Sequence, residues 1–320
     1  MKKIISGIQP SGILHIGNYF GAIEQFIKFQ EENECLFFVA DYHALTSSND
    51  AESLRKNSRD VVLDYLALGV DPTKASIFIQ SHVPEHTELM WVLSNLTPMA
   101  LLERGHSFKD KTAKGISSNT GLFTYPVLMA ADILMYDVDM VPVGKDQKQH
   151  LEMTRDIAIK FNEKYGETFK LPEPMIVEST AVVPGVDGAK MSKSYGNTID
   201  MFASKKVLKK QVMSIVTDST PLEDPKDPEN NVTTLYKLFA TPEKLEEMKE
   251  KFRAGGYGYG HAKKELLEAI LEYFAEARLK REELVANPEY VDKILAEGAE
   301  KARKLAKIKM LEVKKSVGLI

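Results

Sequence analysis

Residues suited to phosphate chemistry are concentrated in two short segments of the chain. One of them, GAKMSKSYGN at residues 188–197, carries Lys190 and Lys193 among glycines and serines, where an apolar core could not use them. Two lysines in a glycine-flanked loop can fold over a triphosphate and neutralise charge as pyrophosphate leaves. Taken alone, the segment would be interpreted as an ordinary surface loop.

The other segment, GIQPSGILHIGNYFGAI at residues 7–23, follows a strand-like run and leads into a helical pattern. A strand, a glycine-containing turn and a helix form the arrangement that directs backbone N–H groups at an anion. Gly17 has no Cβ, so a flat or charged group can approach it closely. His15 and Asn18 are three residues apart and share a helical face. The segment matches neither the P-loop nor the G-x-G-x-x-G pattern, and it is moderately specific by itself.

A third segment, at residues 121–150, combines a carboxylate with apolar residues. Tyr125, Met129 and Asp132 are spaced i, i+4 and i+7, which places them on one face of a predicted helix. A carboxylate among apolar residues is costly to bury unless a donor meets it. Indole offers one N–H on an otherwise apolar body, so this pattern suits tryptophan better than tyrosine, whose phenol both donates and accepts. The alternative is that Asp132 lies on a solvated turn.

The elements that must position these residues alternate between strand and helix patterns over the first 150 residues. Strands are predicted at KKIISGI, CLFFVA, ASIFIQ and DMVPVG, and Asn49 and Asp50 are predicted caps for the helix through Leu68. The alternation predicts an α/β fold, a Rossmann-like parallel sheet with helices on both faces. Ligands of such folds bind beyond the carboxyl ends of the strands. After residue 195 the strand signals vanish, and an all-helical C-terminal domain is predicted.

Composition limits the classes of protein to consider. The chain has 320 residues, 43% of them hydrophobic and 28% charged, and contains no apolar run long enough for a membrane span. The net charge of −4 argues against a dedicated DNA-binding protein. Basic runs at residues 205–210 and in the C-terminal tail are either solvated helix faces or phosphate-contacting surfaces. The lone Cys35 excludes an internal disulfide and fits a reducing cytoplasm, the predicted location.

The HIGN turn and the KMSKS loop resemble the signature sequences of the class I aminoacyl-tRNA synthetases, a His-Ile-Gly-His turn and a Lys-Met-Ser-Lys-Ser loop. Asn18 stands in place of the second histidine, a departure that occurs in the tryptophan branch of the family. SGIQPSG, YPVLMAADIL and VPVGKDQKQH look like segments of the bacterial members of that branch, and the likeness covers essentially the whole chain. The rival interpretations are the tyrosine branch, a small nucleotidyltransferase with a similar turn, and a non-catalytic paralogue that binds RNA or tryptophan.

The resemblance implies that L-tryptophan is activated by ATP to an adenylate and then transferred to tRNA(Trp). It assigns catalytic roles to His15, Asn18, Lys190, Lys193 and Lys111, although Lys109 and Lys114 compete with Lys111 for its part. It surrounds ATP with Gln9, Pro10, Ser11, Gly17, Asn18, Gly144, Lys145, Asp146, Val182, Lys190, Met191, Ser192, Lys193 and Ser194. Mg²⁺ would be held by phosphate oxygens, with no protein ligand.

For tryptophan, the resemblance places Asp132 at the indole N–H. Met129, His43, Val141 and Val143 would line the ring, and Tyr125 and Gln147 would hold the α-amino group. The other histidines receive structural interpretations, because no cysteine or carboxylate spacing indicates zinc: His82, His86, His106 and His150.

The resemblance also implies a division of labour along the chain. Residues 1–194 would form the catalytic domain and residues 195–320 the helical domain for anticodon recognition, with the lysine loop as the hinge between them. A homodimer is expected, with interface helices within about residues 85–135. The sequence alone would permit simple core packing there, and it predicts that Trp91 lies in a helix core beside Leu89, Val92 and Leu96.

Overall fold

The computed structural model describes residues 1–46, 50–104, 119–144, 148–176 and 183–320. The chain divides into two compact units. The sheet unit comprises Met1–Ser11, Phe26–Glu178 and Asn287–Ile320, and the helical unit comprises Gly12–Gln25 and Ser179–Ala286.

A parallel sheet organises the sheet unit. Its described strands pair in the order β3–β2–β1–β4–β5. Their bounds are β1 Lys3–Ile8, β2 Glu34–Val39, β3 Ala75–Ile79, β4 Met140–Val143 and β5 Glu173–Ile176. The order reverses between β1 and β4, and in open α/β sheets ligands bind at the carboxyl ends of the strands beside such a reversal. The predicted Rossmann-like fold is confirmed.

β5 is absent from the sequence-based expectation. Its sequence, EPMI, is short and contains Pro174, which cannot donate to a ladder and is typical of edge strands. β5 pairs only with β4 among the described strands and so lies at the edge of the sheet. Its formation depends on that neighbour, which a local pattern cannot reveal.

Helices cover the sheet and complete the core of this unit. Their bounds are Asp41–Ala44, Ala51–Leu68, Glu85–Ser94, Met99–Leu102, Thr120–Leu134, Lys148–Tyr165 and Pro288–Val317. The helix Ala51–Leu68 begins as predicted, because the Asp50 carboxylate accepts the N–H groups of Glu52 and Ser53. Leu36 and Phe78 from the strands share one buried cluster with Val127 and Phe161 from the helices.

The last helix, Pro288–Val317, packs against β3. Gly298 makes this approach possible, because a Cβ there would lie 1.9 Å from the carbonyl oxygen of Ile77. Ala302 and Ala306 continue the small-residue face and are fully buried. The compact units therefore divide the chain differently from the predicted boundary near residue 194, since this helix belongs to the sheet unit. The assignment of catalysis to 1–194 and of tRNA recognition to 195–320 stays a prediction.

The helical unit contains the turn, the lysine loop and most of the later helices. Helical segments begin with Ile16–Asn18 and the π-helical Tyr19–Ile23, which leads into Glu24–Phe29. The later helices are Lys205–Met213, Asn231–Tyr236, Pro242–Ala254, Tyr259–Tyr273 and Ala275–Ala286. No helix in the described ranges is long and apolar enough to cross a bilayer.

Trp91 corrects one expectation. It lies on the helix Glu85–Ser94 but is 72% exposed, whereas Leu89 and Leu93 of the same helix are fully buried. The prediction that Trp91 belongs to the helix core is therefore wrong. Because the buried face is formed by Leu89 and Leu93, the indole lies on the opposite, solvent-facing side.

We expect Gly298→Ala to lower the free energy of unfolding by about 3 kcal/mol, because a methyl group must displace the Ile77 carbonyl or the whole helix. Urea denaturation measures the effect. Gly260→Ala is the matched control, since nothing lies within 4 Å of a Cβ at that helical position. Equal stability of Gly298→Ala and the unmodified protein would contradict the packing described.

Candidate active site

The turn after β1 brings His15 to the start of the segment Ile16–Asn18. The N–H of Ile16 donates to the carbonyl oxygen of Ile199 at 3.0 Å, and the N–H groups of Asn18 and Tyr19 donate to the carbonyl oxygen of His15. These three N–H groups are therefore already hydrogen-bonded to backbone carbonyl oxygens. The expectation that the turn directs its backbone N–H groups at an anion is therefore wrong for these three groups.

The imidazole of His15 is 6% exposed, and its Nδ1 has no hydrogen-bond partner among the described residues. Burial, and then the positive charge of Lys193, lowers the pKa of His15 to about 4. The ring is therefore neutral at pH 7 and carries one N–H donor. A buried polar atom without a partner is rare and calls for a functional explanation.

The lysine loop, residues 188–197, lies against this turn within the helical unit. The Lys193 ammonium donates to the carbonyl oxygen of Gly12 at 2.8 Å. A Cβ on Gly17 would lie 2.9 Å from His15 Nδ1 and 3.4 Å from the Cβ of Met191, which is 4% exposed. The two segments singled out for phosphate chemistry thus meet, and the absence of a side chain at Gly17 permits the contact.

Asn18 and a group of aromatic residues hold the turn in place. The Asn18 Oδ1 accepts the N–H of His15 at 3.1 Å, which leaves the amide nitrogen to donate. The Tyr19 hydroxyl lies 3.2 Å from that of Tyr273. Edge-to-face ring contacts extend this packing to Phe274 and, through Phe20, to Phe239. Such pairs add to the stabilisation from burial, so the helices of this unit fix the segment that carries His15.

The sheet unit holds the residues predicted to bind tryptophan. Asp132 is 2% exposed, which rules out the solvated-turn alternative. His43 Nε2 donates to its Oδ2 at 2.7 Å, while Gln80 Nε2 and His86 Nδ1 donate to its Oδ1 at 2.7 and 2.6 Å. Burial alone would raise the pKa of Asp132, but the hydrogen bonds from His43 and His86 outweigh it and lower the pKa below its usual value.

His86 and Gln80 are the functional candidates that sequence analysis missed. His86 is fully buried, and its Nε2 lies 2.7 Å from the hydroxyl of Tyr136. The structural interpretation of His86 as a turn residue therefore overlooked a link in a buried chain. The spacing of His86, Leu89 and Leu93, which is i, i+3 and i+7, was the available signal that it lies on the buried helix face.

Four more of the tryptophan candidates lie on the helix Thr120–Leu134 or on β4. The Tyr125 hydroxyl hydrogen-bonds His150 Nε2, and the Tyr125 ring meets the His43 ring edge-on at 6.3 Å. Met129 is half-buried on the same helix. Val141 and Val143 are each 5% exposed and, two apart on β4, share one face of the strand.

The nucleotide candidates of the sheet unit follow neighbouring strands. Gln9, Pro10 and Ser11 come directly after β1, and Gly144 comes directly after β4. They therefore lie at the reversal of strand order, where a ligand is expected. The predictions for Lys109, Lys111, Lys114, Lys145, Asp146, Gln147 and Val182 fall outside the described residues.

The sequence matches the family model of class I tRNA synthetases for tryptophan and tyrosine over residues 1–275. The chain belongs to this family. The resemblance inferred from the turn and the loop is thereby confirmed.

The chain is similar to two tryptophan enzymes over its whole length and to a tyrosine enzyme in fold alone. It is 66% identical to the tryptophan–tRNA ligase of Fusobacterium nucleatum over 321 residues, which cover 100% of this chain and 99% of the relative. A crystal structure of tryptophanyl-tRNA synthetase from Campylobacter jejuni, complexed with ADP and tryptophan, has a TM-score of 0.94 at 55% identity over 99% of both chains. A tyrosyl-tRNA synthetase from Archaeoglobus fulgidus, complexed with L-tyrosine, has a TM-score of 0.66 at 20% identity and covers 88% of this chain and 90% of its own, a likeness of fold alone.

The His15 pKa predicts how the stability of this synthetase depends on pH. The folded state binds the proton more weakly than the unfolded state, since the pKa falls from 6.5 to about 4. The free energy of unfolding should therefore fall by about 3 kcal/mol as the pH decreases through that range. His15→Gln should lack this component, as measured by urea denaturation at several pH values. Parallel pH profiles for the two proteins would contradict a buried, neutral His15.

Proposed function

We propose that the chain activates L-tryptophan with ATP, giving tryptophanyl-adenylate and pyrophosphate, and then transfers tryptophan to tRNA(Trp). One observation carries the proposal, namely the packing of Lys193 and Met191 against the Gly12–Gly17 turn beside the neutral His15. Family membership and the 66% identity to a tryptophan–tRNA ligase support the choice of reaction.

In the first step, a carboxylate oxygen of tryptophan attacks the α-phosphorus of ATP, and the bond from that phosphorus to the bridging oxygen breaks. Such a transfer depends mainly on alignment and on neutralising charge. His15 and the amide of Asn18 donate to phosphate oxygens, and Lys190 and Lys193 balance the pyrophosphate. Lys193 must leave the Gly12 carbonyl to do so, which explains why it sits in a polar loop rather than in a core.

Mg²⁺ belongs to the proposal as an ion held by the phosphate oxygens, where it would add to the charge neutralisation. Within the described ranges, no group of three or more histidine, cysteine, aspartate or glutamate side chains is placed to form a protein cage for a metal. The donor set that this part of the chain offers around the turn is cationic or neutral, which fits a negatively charged nucleotide better than a metal ion.

Specificity for tryptophan rests on Asp132. Its Oδ1 accepts two hydrogen bonds, whereas its Oδ2 accepts one, from His43, among the described residues. A carboxylate oxygen has two lone pairs, so Oδ2 has room for an indole N–H. Phenylalanine has no such donor, and sites built around a specific hydrogen bond reject analogues that lack it by roughly 10⁴ or more.

In the second step, the terminal ribose hydroxyl of tRNA(Trp) attacks the activated carbonyl carbon and releases AMP. The helix Lys205–Met213 is a candidate for contacting the tRNA backbone. It buries Leu208 and Val212 and exposes the basic residues Lys205, Lys206, Lys209 and Lys210. A clustered positive face of this kind suits phosphates. We infer that the enzyme works in the cytoplasm, with tRNA rather than DNA or a membrane as its partner.

The homodimer is proposed to form through the helix that carries Trp91. Trp91 and Met99 are 72% and 63% exposed, and large exposed apolar side chains close together in sequence favour an interface. Both lie within the predicted range of residues 85–135.

We expect Lys193→Ala to lower the rate of tryptophan-dependent ATP–pyrophosphate exchange by about 100-fold or more, because an aligned cation is lost from the leaving group. Tryptophan affinity, measured by equilibrium dialysis, should stay within about twofold. Lys206→Ala, on an exposed helix of the same unit, is the matched control and should exchange normally. Equal loss of rate and of tryptophan affinity in Lys193→Ala would argue against the assigned role.

Asp132→Asn should reduce the preference for tryptophan over phenylalanine in adenylate formation by about 100-fold or more, because an amide nitrogen then replaces one acceptor. Tyr136→Phe is the control, since it removes the hydrogen bond to His86 but leaves the carboxylate in place. It should lower stability by about 1 kcal/mol without changing the preference. Efficient adenylate formation with tyrosine by the unmodified enzyme would instead favour the tyrosine branch.

A dimer through Trp91 predicts that Trp91→Glu sediments as a monomer, because a charge would be buried without a partner. Leu279→Glu is the control, since Leu279 is also 63% exposed but lies on the helix Ala275–Ala286 of the helical unit. It should leave the sedimentation coefficient unchanged. A dimer that survives Trp91→Glu would place the interface elsewhere.

A further inference from the structure

A buried asparagine lies at the end of the lysine loop. Asn197 is 2% exposed, and its amide makes three hydrogen bonds, to residues 187, 190 and 192. Its Oδ1 accepts the N–H of Ser192 at 2.8 Å. Its Nδ2 donates to the carboxylate of Asp187 at 2.8 Å and to the carbonyl oxygen of Lys190 at 3.1 Å. One amide group therefore ties together three points of a loop whose lysines are exposed or half-buried.

The neighbouring residues 185–189 leave space for the Asn197 side chain. A Cβ on Gly185 would lie 2.3 Å from the Asn197 Cγ, so only glycine leaves room for the amide. The N–H of Val186 donates to the carbonyl oxygen of Asn197 at 2.9 Å, and the Asp187 carboxylate also accepts the N–H of Ala189. Residues 185 and 186, which precede the loop, are thus held against Asn197 at its end.

Asn197 contacts the backbone at and beside the two lysines that carry the positive charge of the loop. Lys190 offers its carbonyl, and Ser192 offers the N–H directly before Lys193. Between them, Met191 packs at Gly17. The hydrogen bonds to the backbone of residues 190 and 192 therefore hold the Cα atoms of Lys190 and Lys193 in place and keep Met191 against the turn. The ammonium groups at the ends of the lysine side chains stay able to move.

The chemistry of an amide suits this position. Asparagine offers both a donor and an acceptor without charge. An aspartate would place a second carboxylate beside Asp187 and between the two lysines, where it would weaken their attraction for a phosphate. An aliphatic residue would leave the Ser192 N–H and the Lys190 carbonyl without their partner.

We propose that Asn197 is a positioning residue for pyrophosphate departure, which it promotes by holding Lys190 and Lys193 at the base of the loop. The proposal rests on the function proposed above. Asn197 touches no reacting atom and acts through the lysines.

The test compares the rate of adenylate formation in a single turnover with tryptophan affinity and thermal stability. Asn197→Ala should lower the rate by about 100-fold and leave tryptophan affinity unchanged within about twofold. The double variant Asp187→Asn/Asn197→Asp keeps a single carboxylate in the pair: residue 197 still accepts from Ser192 and residue 187 donates to residue 197, while only the Lys190 carbonyl loses its donor. It should recover at least about tenfold of the lost rate.

Asn162→Ala is the matched control for a purely structural role. In the sheet unit, the amide of Asn162 also makes three hydrogen bonds, all of them to backbone groups: it accepts from Thr168 and Phe169 and donates to the Phe169 carbonyl. Its replacement should lower the thermal midpoint as much as Asn197→Ala does, yet leave the single-turnover rate within about twofold.

A double-mutant cycle decides whether Asn197 acts through Lys193. In the Lys193→Ala background, Asn197→Ala should lower the rate by only about tenfold or less, because the group it positions is gone. A full, additive loss in that background would overturn the proposal, as would an Asn197→Ala rate equal to that of the unmodified enzyme. If the unmodified enzyme failed to form tryptophanyl-adenylate, the proposed function itself would be overturned. That outcome is distinct from a failure of the Asn197 proposal alone, in which the unmodified enzyme is active.

Discussion

The hydrogen bond from the Lys193 ammonium to the Gly12 carbonyl joins two segments 181 positions apart and holds a positive charge beside the buried ring of His15. Everything proposed about phosphate chemistry depends on this contact. Gly17 leaves space beside it, since a Cβ there would lie 2.9 Å from His15 Nδ1 and 3.4 Å from the Cβ of Met191. The contact requires a turn held from behind by the rings around Tyr19 and Tyr273. The helices of the helical unit therefore serve the chemistry as a scaffold.

In the sheet unit, the main physical constraint is the burial of the charged Asp132 carboxylate. Asp132 keeps its proton off because His43, Gln80 and His86 donate to it, and each comes from a different element. Two of these elements directly follow β2 and β3, so the parallel sheet sets the positions of the donors. A carboxylate held this firmly can distinguish a ligand with one N–H from a ligand with none, because it cannot move to compensate.

Local patterns were sufficient for the features that local chemistry decides. Strands β1 to β4 and the cap at Asp50 could be predicted from local patterns, and the resemblance to the synthetase family predicted that the turn and the lysine loop act together. Long-range contacts decided the rest. β5 forms despite Pro174 because β4 supplies a partner, and the last helix joins the sheet because Gly298 can touch Ile77. Likewise, the N–H of Ile16 is taken by Ile199, a residue whose proximity no spacing rule indicates.

The packing of the lysine loop on the turn, which brings Lys193 to Gly12, is measured most directly by disulfide formation between cysteines introduced at Gly17 and Met191. A Cβ at 17 would lie 3.4 Å from that of 191, close to the roughly 3.8 Å typical of a disulfide, and the native Cys35 is buried. We predict that mild oxidation of the folded double variant forms this bond. A control pair at 17 and Tyr195, which is 70% exposed in the same loop, should stay reduced. A 17–191 pair that oxidises no faster than the control would contradict the account.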